Sequence, residues 1–526
     1  MFIRPCYRKK NGKRHAYWAL VESYRTDRGP RQRIVAYLGQ LKQNVRLGVK
    51  QAAQGKKKSA YEQLQLFDHR DKLQPEWIEI DTANVRVENQ LDFGGPWLAL
   101  ELIRKLKLDE WLETVMPRGR EDIPWSRMAI VLVISRLCKP SSELHIAEHY
   151  YGKTAMPDLL GIPSEKVYDQ RLYRALDQLL PHKEALEKHL KNRLGTLFNL
   201  KYDLLLYDVT STYFEGQCKS NPLAQLGYSR DKRPDCKQVC IALVVSRCGM
   251  PLGYEVFAGN RNDVKTWQEM VTTMEARYGK AERIWCGDRG MMSKENIEFM
   301  ESGGRQYIIG ASKGTLKQFE QRIEGALEKI EASCRKRTWT KETIDRRVGK
   351  IMAKNSRAAG LFTVEVNEIE GRASISWKKN KKWRDWATLS EGCYLLRTNV
   401  TNWSAEDLWQ AYIQLTEAEA AFRIHKSDLR IRPVWHQRED RVLGHILVCF
   451  LAYVLWKTLH QMTKSAGLGD EPRRIFEEIG KISVVDVVLP TRSGVEIRRR
   501  CIRRPTDHQA ILLQRLGLTL PRQLTS

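Results

Sequence analysis

Between residues 202 and 310 the apolar runs follow an order that few folds accommodate. Residues 202–208 form a strand-like run ending on an acid, residues 237–246 form a second, and residues 252–258 a third after a Cys248–Pro251 turn. Residues 263–278 then read as a helix beginning at Asp263, and residues 284–286 as a strand closed by Gly287, Asp288, Arg289 and Gly290. A helix capped by Ser293 and a fifth strand over residues 305–310 complete the series. Three strands followed by alternating helix and strand predict a multidomain α/β protein built on a mixed sheet with helices on both faces. In such sheets the polar residues at strand carboxyl ends face the site. Asp208 and Asp288 each stand at such an end.

Residues 412–426 read as one helix, rich in helix formers and without Gly or Pro. Positions seven apart nearly eclipse at 3.6 residues per turn, so Tyr412, Glu419 and Lys426 are expected along one face. Glu417 lies about 200° round the helix from Glu419. Singly, Asp208, Asp288 and Glu419 are ordinary turn or surface acids. Jointly, two strand ends and a helix supply the hard oxygen donors that Mg²⁺ or Mn²⁺ prefers. Two such ions about 4 Å apart activate an attacking oxygen and stabilise the leaving one in phosphodiester cleavage. The order βββαβαβ followed by an acid-bearing helix is that of the ribonuclease H-like fold.

The chain has 526 residues and a formal charge of +26, which favours a polyanionic partner, above all nucleic acid. Its 42% hydrophobic content excludes a disordered chain. The expected organisation is a small basic β module with a linker over residues 1–60, including Lys56–Lys58, and a helical accessory domain over residues 90–200. The catalytic core takes residues 201–312 and 404–460, a mainly β insertion rich in Lys, Arg and Trp takes residues 313–403, and a basic region ends the chain from residue 461. Within the insertion, residues 316–330 are expected as a helix and residues 343–350 as a strand. The apolar run from Ile446 to Trp456 is too short to span a bilayer, which takes roughly 20 helical residues, and reads as a buried helix. No secretory signal is visible at the start. Eleven cysteines without a C-x-x-C pair fit free thiols in a reducing cytoplasm. His145, Glu148 and His149 match H-x-x-E-H, a zinc-peptidase pattern that also suits the polar face of an amphipathic helix.

The chain resembles bacterial insertion-sequence transposases of the DDE type, in the group with a Y-x2-R-x3-E-x6-K signature. The resemblance rests on Tyr207-Asp208-Val-Thr-Ser, Gly287-Asp288-Arg-Gly-Met and Tyr412, Glu419 and Lys426, and covers roughly residues 201–459. It implies Asp208, Asp288 and Glu419 as ligands of two Mg²⁺ or Mn²⁺ ions. It further implies cleavage at element ends, 3′-hydroxyl strand transfer into target DNA, and Tyr412 and Lys426 on DNA near the cleaved phosphate. Leu415 occupies the signature's Arg position, and Arg423, one turn after Glu419, is expected to take over that phosphate contact. Arg430, Arg432, Trp377, Lys378 and Lys379 are further expected DNA contacts, while Trp377, Trp383 and Trp386 could instead pack the insertion's core. Double-stranded DNA, a homodimer in the DNA complex, no membrane and a cytoplasmic, nucleoid-bound location follow as expectations. The competing reading is a transposase-derived DNA-binding protein without turnover.

Overall fold

The computed structural model describes residues 2–10, 13–26, 29–39, 79–280, 282–311, 316–369, 371–380, 395–491, 494–521 and 524. In chain order its first strands are β1 (Phe2–Lys10), β2 (Lys13–Thr26), β3 (Gly29–Gly39), β4 (Arg86–Asp92) and β5 (Leu204–Tyr213). Then come β6 (Gln238–Ser246), β7 (Pro251–Ala258), β8 (Ile284–Gly287), β9 (Gln306–Ala311) and β10 (Phe362–Ile369). The last are β11 (Arg372–Lys379), β12 (Leu395–Thr398), β13 (Ser483–Pro490) and β14 (Glu496–Ile502). Two compact units divide the chain. The first comprises Met1–Lys201, Val209–Arg261 and Glu419–Ser526, the second Tyr202–Asp208 and Asn262–Ala418.

The first unit opens on an antiparallel β1-β2-β3 meander. The expected linker with Lys56–Lys58 lies outside the described residues. Helices Gly94–Lys105, Trp125–Cys138 and Asp169–Leu179 realise the helical pattern of residues 90–200. They pack on Glu439–Ser465, a helix apolar on nearly all sides and buried from Ile446 to Leu455. That helix is long and apolar enough to cross a membrane, yet 89% of its most apolar window is buried inside the protein. A helix apolar all round fits the middle of a large core. At the other end of the chain β13 pairs with both β14 and β4, so Arg498 meets Glu88 at 2.7 Å and Arg500 meets Asp486 at 2.8 Å. β6 runs antiparallel to β7 and is buried at every position. None of the nine cysteines whose side chains are described forms a disulfide.

The second unit carries the strand order β12-β9-β8-β5, with β5, β8 and β9 parallel and β12 antiparallel to β9. Parallel neighbours need a crossover, and helices Asp263–Tyr278 and Lys294–Ser302 precede and follow β8. Side-chain caps start both: Asn262 accepts from the Val264 N–H and Ser293 from the Asn296 N–H. The chain is thus α/β with a mixed sheet.

Three expectations are corrected. Among its described residues the insertion is not mainly β: the helix expected over residues 316–330 runs over Leu316–Lys336, and a second helix, Lys341–Lys354, lies beside the β10–β11 hairpin. Residues 343–350, expected as a strand, are helical because Ile344, Val348, Ile351 and Met352 recur at helical spacing and face the insertion's core of Ile323, Leu327, Leu361 and Phe362. β5 does not stop at Asp208 but runs on to Tyr213. Finally, residues 412–426 are not one helix. Ala405–Ile413 and Leu415–Ser427 are separated at Gln414, where the Glu417 N–H reaches the Gln414 carbonyl in an i→i+3 bond. The seven-residue rule holds within an unbroken helix, so it covers Glu419 and Lys426 but not Tyr412.

Candidate active site

Within the second unit, the register of two parallel strands sets the first pair of acids. β5 and β8 pair from Leu204↔Ile284 to Tyr207↔Gly287. Asp208 and Asp288 are the next residue on each strand, and residues in register on adjacent strands project to the same face. Asp208 is half-buried and Asp288 is exposed. One Asp288 oxygen accepts from the Gly290 N–H at 2.9 Å, which fixes the turn out of β8. Gly287 is needed here, because a Cβ would lie 2.4 Å from the Trp267 ring.

Tyr207 is fully buried and points the other way, as alternation along a strand requires. Its hydroxyl donates to Thr266 Oγ1 at 2.6 Å, and Thr266 donates on to the Asp263 carbonyl. The Trp267 ring meets it edge-on at 5.2 Å. Burial raises the Tyr207 pKa, and Asp263, Asp208 and Asp288 add to the rise. The phenol therefore stays protonated and serves as a fixed strut.

The same register continues to β9, where Gly287 pairs with Ile309. Gly310 is thus next to Asp288 in the row, and it has no side chain. Tyr412 fills that space: a Cβ on Gly310 would sit 2.3 Å from the Tyr412 hydroxyl and 3.3 Å from the Arg289 backbone nitrogen. Trp409 stacks on Tyr412 with ring centroids 6.2 Å apart. The second unit therefore sets Asp208, Asp288 and the Tyr412 hydroxyl along one row.

The helix Leu415–Ser427 presents Glu419 and Arg423 to solvent and buries Ala418, Ala421 and Phe422. Leu415, at the signature's Arg position, is buried. Lys426 is not a free cation. Its Nζ pairs at 2.8 Å with Asp231, whose side chain is only 2% exposed, and Arg432 pairs with the same carboxylate oxygen. Burial lowers the Lys426 pKa, with Asp231 opposing and Arg432 and Arg230 adding to the fall. Arg430 is exposed, with its backbone in the left-handed region at φ 46°. The sequence reading missed Asp231; it stands in a long polar loop with no periodicity to mark it.

Residues 199–455 match the family model of the transposase DDE domain, and residues 3–66 match the N-terminal domain of IS1634 family transposases. Together these matches span more than half of the chain. The chain belongs to the DDE transposases of insertion sequences. No curated protein matches it. Among solved structures it is similar to a piggyBac transposase synaptic complex with hairpin DNA, at 11% identity and a TM-score of 0.35, covering 77% of this chain and 82% of that one. It is also similar to the Mos1 transposase paired-end complex with the left transposon end, at 12% identity and a TM-score of 0.15, covering 36% and 60%.

The transposase's remaining sequence candidates fall in differing surroundings. Trp377 lies against Phe362 at 5.9 Å and joins the insertion's core. Lys379 pairs with Glu320 at 2.8 Å and Glu324 at 3.0 Å, whereas Lys378 is exposed. Trp383 and Trp386 lie outside the described residues. His145 and His149 stand with rings 5.3 Å apart, and His149 and Glu148 are both well exposed. Among the described residues a different trio, Glu143, His436 and His445, brings its donor atoms within 4.8 Å. Both His445 nitrogens are already engaged, Nδ1 with Arg136 at 3.3 Å and Nε2 with the Ile431 carbonyl at 3.2 Å. Arg136 thus already occupies one of the two ring nitrogens that His445 could offer an ion. These residues line a cleft of about 1010 Å³ with Arg430 and Arg432 at its wall.

Proposed function

We propose that this transposase cuts DNA at the ends of its element and joins the freed 3′-hydroxyl to target DNA, using a ribonuclease H-like core with helices on both faces. The observation that carries the reading is the β5–β8 register, which sets Asp208 beside Asp288. Two carboxylates at that spacing repel one another and are hard donors, so they fit Mg²⁺ or Mn²⁺. Glu419 enters as the third acid from its place in the signature. These three residues would hold divalent ions, two in number on this reading, which would supply Lewis-acid activation of the attacking oxygen and stabilisation of the leaving one.

The chain's own side chains do the rest. Tyr412, locked over Gly310, offers a hydroxyl to a phosphate oxygen at the Asp208–Asp288 row. Lys426 and Arg432, held by Asp231, and the exposed Arg423 and Arg430 contact the DNA backbone, with Lys378 as the solvent-facing contact of the insertion beside Trp377 and Lys379. Double-stranded DNA is the substrate, a homodimer brings two ends together, and the work takes place in the cytoplasm on the nucleoid.

The test is nicking of a labelled duplex made from the DNA flanking the gene, with and without Mg²⁺. Nicking by the wild type and none by Asp208→Asn supports the reading. Binding without nicking in both proteins would replace it with a DNA-binding role that lacks turnover.

A further inference from the structure

Asn296, in the second unit, is 1% exposed and is the third residue of the helix Lys294–Ser302, which follows the Asp288 turn. Its side-chain amide is fully used. Nδ2 donates to the Met291 carbonyl at 2.8 Å and to the Val264 carbonyl at 3.0 Å. Oδ1 accepts from Gln268 Nε2 at 3.0 Å. A terminal amide has two donor hydrogens, and here both go to main-chain carbonyls of two different segments. The helix itself does not need them, because Ser293 Oγ already caps it by accepting the Asn296 N–H at 3.1 Å. The amide therefore serves the two segments that it joins.

Each of those segments supports one acid. Met291 closes the turn out of β8: its N–H reaches the Asp288 carbonyl at 3.2 Å, while the Asp288 side chain accepts from the Gly290 N–H. Val264 lies in the first turn of the helix Asp263–Tyr278, whose Thr266 takes the hydrogen bond of Tyr207, the residue before Asp208. Trp267 of that helix meets Tyr207 edge-on and lies against Gly287, the residue before Asp288. A closed circuit thus runs from Asp208 through Tyr207, Thr266 and Asn296 to Met291 and Asp288. The strand ladder does not make this tie. β8 ends at Gly287, so Asp288 stands one residue beyond the hydrogen bonds that set its neighbour.

We propose that Asn296 is a positioning residue that fixes the separation of the Asp208 and Asp288 carboxylates, by lashing the Asp288 turn to the helix that braces Asp208. The inference rests on the reading of these acids as ligands of divalent ions. Asn296 is itself buried and contacts neither the ions nor DNA. Mg²⁺ demands near-ideal octahedral geometry, so a turn free to shift spoils its site long before the chain unfolds.

The experiment is calorimetric titration of the full chain with MgCl₂, alongside melting curves and nicking of the labelled duplex made from the DNA flanking the gene. Asn296→Ala should weaken Mg²⁺ binding about 10- to 100-fold, the range for loss of a group that orients metal ligands. DNA affinity without Mg²⁺ and KM for the duplex should stay at wild-type values, while kcat falls by a similar factor. Gln268→Met removes the donor to Oδ1 with little change in size. It should shift Mg²⁺ binding in the same direction, and it decides the matter if the Ala variant does not fold. A purely structural Asn296 would lower the melting temperature and leave the Mg²⁺ Kd unmoved. A wild-type Mg²⁺ Kd in folded Asn296→Ala, or in Gln268→Met if that variant does not fold, would overturn the inference and leave the DNA reading standing. Weakened Mg²⁺ binding in the variant with no nicking by the wild type would uphold the inference and overturn the cutting reading. A wild-type chain that binds no Mg²⁺ would overturn both.

Discussion

The Tyr412 hydroxyl occupies the space that a side chain on Gly310 would need, 2.3 Å from where the Cβ would be. Gly310→Ala must therefore push Tyr412 away from the Asp208–Asp288 row. Overpacking of this kind costs about 1–3 kcal/mol, so the thermal midpoint should fall by a few degrees and nicking by at least about tenfold. Adding Tyr412→Phe removes the 2.3 Å contact and leaves the ring carbon at 3.0 Å. The double variant should recover most of the stability but not the activity, as paired melting and nicking assays would show.

Asp208→Asn and Asp288→Asn keep the shape of the row and remove one charge each. Loss of several kcal/mol of cation-based stabilisation corresponds to roughly 10²–10³-fold in rate. Chelation of divalent ions should lower the wild-type rate in the same way. Mg²⁺ should raise the melting temperature of the wild type and not of the variants, because only a bound ligand stabilises the folded state.

Asp231→Ala leaves Lys426 half-buried beside Arg432 with no anion between them. Breaking a buried pair costs about 3–5 kcal/mol, and the lower end applies because Arg432 can turn toward water. Asp231→Asn keeps a hydrogen-bond acceptor and should lose less. Urea unfolding of the three proteins would rank them, and equal midpoints would show that Asp231 has no anchoring role.

Acid should destabilise the protein before it touches the exposed acids. Burial pushes His425 down to about 4 and His445 to about 3, the latter also disfavoured by Arg136 and His436. Above about pH 6.5 neither the folded nor the unfolded chain protonates these rings, so nothing is lost. Below it the unfolded chain takes up protons that the folded chain refuses, and stability falls as the pH drops toward the folded values. Burial alone would raise the Glu143 pKa, but the His436 hydrogen bond and nearby positive groups hold it at about 2. It contributes the same sign between its ordinary 4.5 and 2. The midpoint of thermal unfolding should be lower at pH 5 than at pH 7, and His445→Gln should flatten that difference.

Neighbouring lysines on β11 should behave differently. Lys378→Ala should lower the log–log salt slope of DNA binding by about one. Lys379, paired with Glu320 and Glu324, should leave the slope unchanged when replaced and cost about 0.2–1 kcal/mol of stability.

Local patterning in the sequence determined a good deal by itself. The strands and helices around Asp208 and Asp288, the capping residue Ser293, and the buried helix around Ile446–Trp456 follow from periodicity and turn chemistry, which act over a few residues. The exposed places of Glu419 and Arg423 follow from the same pattern, since the helix that bears them buries its apolar face. Tertiary structure decided what depends on distant partners. Residues 343–350 became helical because a core formed by Ile323, Leu327 and Phe362 rewards that period. The break at Gln414 separates Tyr412 from the Glu419–Lys426 face, and propensity alone does not mark it. Asp231 found Lys426 and Arg432 some two hundred positions away, and Gly310 acquired its meaning only when Tyr412 closed over it. Contacts of that range come from register and packing, which no local window of sequence contains.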